Sequence, residues 1–81
     1  MSVVIVQLFA SYAELVGRTT ITVPLTDGDR VSDLLRNLRS VPLASALPES
    51  PRVAVNHAFA AGSTRLHPGD EIALIPPVAG G

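Results

Sequence analysis

Side chains able to act as nucleophiles, bases or metal ligands are few in this sequence. Six of the serines (Ser11, Ser32, Ser40, Ser45, Ser50 and Ser63) show no G-x-S-x-G elbow. His57 and His67 stand ten residues apart, with no spacing that suggests a metal pair, and they read as turn or surface histidines. Asp27 with Asp29, and Asp70 with Glu71, resemble the paired carboxylates of acid–base catalysis. Each pair lies in a turn or beside a helix start, where acids cap and brace the backbone, and that structural role is the expected one. The segment TDGD (26–29) has one glycine and no lysine, so it is no phosphate loop. The chain has no cysteine, which removes thiol nucleophiles, disulfides and thiolate metal sites. All six positive residues are arginines, so a Schiff-base lysine is excluded, as is chain formation through the protein's own lysines. No metal and no bound cofactor are expected, and the chain has almost nothing with which to work as an independent enzyme.

What remains is the end of the sequence, PPVAGG (76–81). Pro76 and Pro77 stiffen the base of this segment, and Val78 continues it. Residues 76–81, fully extended, reach about 20 Å at roughly 3.3 Å each. Gly80 and Gly81 carry no Cβ, so the tip fits a channel too narrow for any side chain. The end group is a carboxylate with an intrinsic pKa of about 3.5, ionised and inert at neutral pH. It becomes an electrophile only when a partner enzyme activates it, for example as a mixed anhydride with a nucleotide. The alternative is a frayed terminus, which is common. On physical grounds alone the two readings stand about even.

The elements that must carry such a tail can be read from periodicity. VVIVQLFA (3–10) is a short β-branched run and suits a buried strand. In SYAELVG (11–17), Ser11 and Glu14 have capping-box spacing and Gly17 closes one or two helical turns. RTTITVPL (18–25) alternates, with Ile21, Val23 and Leu25 on one face, and Pro24 assigns it to a sheet edge or a strand end. After the turn at 26–29, with Asp29 as the expected cap, residues 30–40 place Val31, Leu34, Leu35 and Leu38 on one helical stripe. The proline-rich stretch 41–51 reads as an irregular connection with one short helical turn. Residues 52–60 form a strand that turns at Asn56–His57, and 62–66 holds a short pairing segment. HPGD (67–70) is a turn, and EIALI (71–75) is a last strand in a central position. Prolines 76 and 77 end the pairing. One main helix among several strands implies an α+β fold, with the helix on one face of a mixed sheet. If the first and last strands are both central they must be neighbours, which is the β-grasp, or ubiquitin-like, roll. The division is a β-grasp domain over 1–75 and an extended tail over 76–81.

Composition bounds the rest. Eighty-one residues allow one domain with a small core, and with only Phe9, Phe59 and Tyr12 as aromatics that core is aliphatic. A net charge of −1 without a basic block argues against nucleic acid. The opening run lacks a positive n-region and is read as a strand rather than a signal peptide, and nothing reaches the apolar length of a membrane span. An intracellular, cytoplasmic chain fits the absence of cysteine.

LFASYAELVG (8–17), VAVNHAFA (53–60) and LHPGDEIALIPPVAGG (66–81), in this order and at this length, resemble the small subunit of molybdopterin synthase, the ubiquitin-like sulfur carrier of molybdenum-cofactor biosynthesis. The resemblance covers essentially the whole chain, and the GDE…PPV-GG ending is its most specific part. It implies that Gly81 is the functional residue. An E1-like adenylyltransferase uses ATP to adenylate its carboxylate, a sulfur donor converts it to a thiocarboxylate, and the sulfur passes to cyclic pyranopterin monophosphate in the active site of the large subunit. Gly80 then supplies clearance, while Pro76, Pro77 and Val78 set the exit of the tail. The resemblance further implies a heterotetramer of two small and two large chains, with Phe59, Phe9 and Ile75 on the large-subunit interface, though a chain so poor in aromatics normally buries them. The chain departs from the family at Ala13, where an arginine is frequent, and in its loops at His57 and His67–Pro68. Carriers for thiamin or tRNA thiolation, and ubiquitin-like protein modifiers, share the Gly-Gly ending and form the alternative.

Overall fold

The computed structural model describes residues 2–48 and 51–77. Five strands and two helices run in the order β1 (Ser2–Leu8), α1 (Ala10–Val16), β2 (Thr20–Leu25), α2 (Val31–Leu38), β3 (Arg52–Val55), β4 (Ala58–Phe59) and β5 (Ile72–Ile75), with a 3-10 turn at Pro42–Ala46 before β3. The sheet order is β2-β1-β5-β3-β4. The first and last strands are therefore neighbours, and they pair in parallel through Val6↔Ile72, Gln7↔Ala73 and Leu8↔Leu74. Every other pairing is antiparallel. This is the mixed sheet of the β-grasp expected from the sequence.

Period-2 alternation sorts the sheet into two faces. Val6, Leu8, Ile21, Val23, Val53, Ile72 and Leu74 point inward, and α2 covers them with Val31, Leu34 and Leu38. Tyr12 of α1, Ala44 of the 3-10 turn and Leu66 of the β4–β5 loop close the core. Pro24 sits in β2, an edge strand, where its missing N–H costs no interior bond. β5 lies third of five, which explains its uncharged aliphatic run.

Two helix starts differ from the sequence expectation. The residue in the cap position of α1 is Phe9, whose carbonyl accepts the N–H groups of Tyr12 (3.0 Å) and Ala13 (3.4 Å), and no side chain caps the helix. β1 ends at Leu8 because the Leu8 N–H is still bonded to Thr19 O (2.8 Å), and the chain then turns at Ala10 with φ +47°. Ser11 thus falls inside the first turn, too late to cap. Asp29 is consumed by the preceding turn, where its carboxylate accepts the Thr26 N–H (2.9 Å). The acid that braces α2 is Asp33, reaching back to the Arg30 N–H (2.8 Å). The short pairing segment within 62–66 is a single bridge between Arg65 and Arg30. Among the described residues no helix is long and apolar enough to cross a membrane.

In so small a domain, truncating the fully buried Leu74 is expected to be severe. Leu74→Ala should cost about 2–5 kcal/mol of stability, read from urea unfolding of the purified chain. Gly17 closes α1 at φ +81° with no neighbour crowding a Cβ, so Gly17→Ala carries backbone strain alone and should cost about 1 kcal/mol.

Candidate functional site

Among the described residues no helix covers the face of the sheet opposite α2. On β1 that face receives Val3, Ile5 and Gln7, and Phe9 continues the same alternation. On β3 it receives Arg52 and Ala54, and on β5 Ala73 and Ile75. The strand registers align Thr20, Gln7, Ala73, Ala54 and Phe59 in one row across all five strands. The row is small in the middle and large toward one edge. Ala54 and Ala73 stand outside the core cluster yet are only 9% exposed, because taller neighbours shade them. The result is a depression of about 310 Å³ with the two alanines among its lining and Gln7, Phe9, His57, Phe59, Glu71 and Ile75 around them.

The three residues expected at a partner interface, Phe9, Phe59 and Ile75, thus come together around one cavity. Phe59 is 63% exposed and Phe9 46%, while Ile75 is half-buried. The expectation that scarce aromatics are buried is met only by Tyr12; the other two extend over the open face. Ile75 ends β5, and Pro76 and Pro77 follow it at once, so the cavity adjoins the base of the tail. Val78, Gly80 and Gly81 lie outside the described residues.

A polar brace fixes one wall. Asn56 and His57 form the two-residue turn between the paired Val55 and Ala58, with φ of +53° and +70°. Positive φ at both central positions is the hairpin geometry whose twist matches the strands. The Asn56 N–H donates to Glu71 O (2.7 Å), and its Oδ1 accepts the Glu71 N–H (2.9 Å). Its Nδ2 donates to Asp70 Oδ1 (3.0 Å), whose other oxygen accepts the His67 N–H (2.7 Å). One asparagine and one aspartate therefore tie the β3–β4 turn to the 67–70 turn. The His67 backbone N–H, then the Asn56 amide, hold the Asp70 carboxyl below its ordinary range. The His57 ring meets Glu71 at 3.1 Å on the cavity rim. Among the described residues no group of three histidines or acids is placed to hold a metal.

Sequence reading missed Gln7, Ala54, Ala73, His57 and Glu71 as cavity residues. Alternation signals that 54 and 73 share the outer face, but strand register, which makes them neighbours, has no local signature. The brace predicts that Asp70→Ala loses about 1–3 kcal/mol at neutral pH. A carboxyl whose folded pKa is lowered stabilises fully above its unfolded value, near 3.9, and that contribution is lost as pH falls through the folded value. The stability–pH curve of Asp70→Ala should therefore be flatter on its acid side, as followed by denaturation between neutral pH and acid. Conversely, His57→Gly should stabilise by up to about 1 kcal/mol, because it relieves a left-handed backbone and removes only an exposed pair.

The comparisons with known proteins agree with this geometry. The ThiS family model matches residues 6–81. The molybdopterin synthase sulfur carrier subunit of Dictyostelium discoideum is 35% identical over 78 residues, covering 91% of each chain. The crystal structure of small archaeal modifier protein 1 from H. volcanii superposes with a TM-score of 0.79 at 29% identity, over 96% of this chain and all of that one. A chain from the complex of subunits 1 and 2 of molybdopterin-converting factor from Helicobacter pylori shares the fold, with a TM-score of 0.69 at 22% identity over 99% of this chain and all of that one. With the expected β-grasp, an open apolar face and a family match that spans sheet and tail, the chain belongs to the ThiS family of ubiquitin-like sulfur carriers, among relatives of the molybdopterin synthase small subunit.

Proposed function

We propose that the protein is the sulfur-donating small subunit of a molybdopterin synthase, with Gly81 as the residue that carries the sulfur. A carboxylate oxygen of Gly81 attacks the α-phosphate of ATP in an E1-like adenylyltransferase and expels pyrophosphate. A sulfur nucleophile then displaces AMP, leaving a thiocarboxylate. The tail enters the active site of the large subunit, where the thiocarboxylate sulfur bonds to cyclic pyranopterin monophosphate and water cleaves the resulting thioester, returning Gly81 as a carboxylate. Such a carrier needs no acid, base or metal of its own. It needs an accessible end and a face that docks. The observation that carries the reading is the meeting of Phe9, Phe59 and Ile75 around one depression beside the base of the tail. Pro76 and Pro77 direct the tail, and Val78 and Gly80 continue it to the tip. Two small and two large chains make the assembly.

A second reading follows from the likeness to small archaeal modifier protein 1. In it the same activated carboxylate is joined to the lysines of other proteins.

Mass spectrometry of the chain purified from its own cells separates the two. A sulfur carrier gains about 16 Da on exchange of O for S, mapped to the C-terminal peptide because oxidation of Met1 adds nearly the same mass. A modifier is found instead as Gly81 amide-linked to target lysines. Deleting Gly81 is expected to abolish sulfur loading while leaving the fold unchanged. An unmodified end after incubation with the activating enzyme, ATP and a sulfur donor would refute the carrier reading.

A further inference from the structure

We propose that Arg52 is the charge by which the open face selects its partner: the depression receives a protein surface on which an apolar side chain stands beside a carboxylate, and that carboxylate pairs with the Arg52 guanidinium. The inference deepens the docking role given above and rests on it for the choice of probe.

Arg52 opens β3 and shares the outer face with Ala54, two residues on. Its guanidinium carbon lies 4.7 Å from the centroid of the Phe59 ring. Stacking covers one face of the guanidinium and leaves the N–H groups around its edge free to donate. It also holds the fork in place before a partner arrives, so less freedom is lost when a carboxylate binds. Glu71, on the rim of the depression, faces the His57 ring at 3.1 Å rather than Arg52. Among the described residues no carboxylate lies within ion-pair distance of Arg52. Arg52 is therefore a cation beside the depression with no carboxylate partner among the described residues, and the group complementary to it is an anion. A carboxylate matches the planar fork with two parallel hydrogen bonds. The apolar floor of Ala54 and Ala73 adds a seat for an uncharged side chain, which a protein surface supplies and a nucleic-acid backbone does not.

Arg52 is the register partner of Ile75, the last residue of β5. A carboxylate held there anchors the partner at the base of the tail.

The test measures binding of the full chain to the large molybdopterin synthase subunit of the same organism, at low and high salt. Arg52→Leu keeps apolar cover over Phe59 and removes the charge. It should weaken binding roughly tenfold and reduce the salt dependence, with an unchanged melting temperature. Arg52→Glu should weaken it further, and Arg52→Lys should recover part of the loss. Replacing the facing acidic residue of the large subunit by arginine should restore binding to Arg52→Glu. Equal affinities for wild type, Arg52→Leu and Arg52→Glu would overturn the inference and leave the carrier reading standing. If wild type does not bind the large subunit, the carrier reading fails and this partner assignment falls with it. A concentration-dependent dimer of the chain alone, abolished by Arg52→Glu, would overturn it in favour of a second copy as occupant.

Discussion

The parallel ladder between β1 and β5 is the contact around which the structure is organised. It joins segments from opposite ends of the chain and sets them side by side in the middle of the sheet. Once they are neighbours, alternation assigns the rest. Ile72 and Leu74 join Val6 and Leu8 in the core, and α2 is drawn over them by its stripe of Val31, Leu34 and Leu38. The opposite face then collects the odd positions of β1 and β5. Phe9, just beyond β1, and Ile75, at the end of β5, meet there because their strands run in the same direction.

The open face depends on small residues as much as on large ones. Ala54 and Ala73 are register partners in the centre of the sheet, and their short side chains make a floor. Phe59, at the edge, becomes a wall by contrast, and its ring also supports Arg52. The wall is only as well placed as its hairpin, which is why the bonds of Asn56 and Asp70 matter. They tie a turn with two left-handed residues to the entrance of β5, at the far end of that strand from the tail.

This arrangement divides the labour of a carrier. The described residues hold a five-stranded sheet and a shaped open face. The chain has neither cysteine nor lysine, so its side chains offer no thiol or amine nucleophile. Membership of the ThiS family and the relation to a sulfur carrier subunit agree with that division.

Much of this was legible in the residues themselves. The apolar stripe of 30–40, the alternation of 18–25, the turn at Asn56–His57 and the Pro-Pro stop after Ile75 are local signals, written in spacing and backbone chemistry, and the structure follows them. The capping roles of Ser11 and Asp29 were misread because a cap depends on where the preceding element stops. Here that is set by the Leu8–Thr19 and Thr26–Asp29 hydrogen bonds rather than by side-chain type. The sequence by itself determined the inward faces of β2 and α2, since period is a property of neighbours along the chain; β1, expected as a buried strand, instead exposes Val3 and Ile5, because no described helix covers that face of the sheet. Only the tertiary structure decided that Ala54 lies beside Ala73 and that Asn56 reaches Asp70. Ala54–Ala73 and Asn56–Asp70 join segments distant in sequence, and no local stretch encodes their register; Arg52 and Phe59 share one hairpin, whose register is set by its two-residue turn.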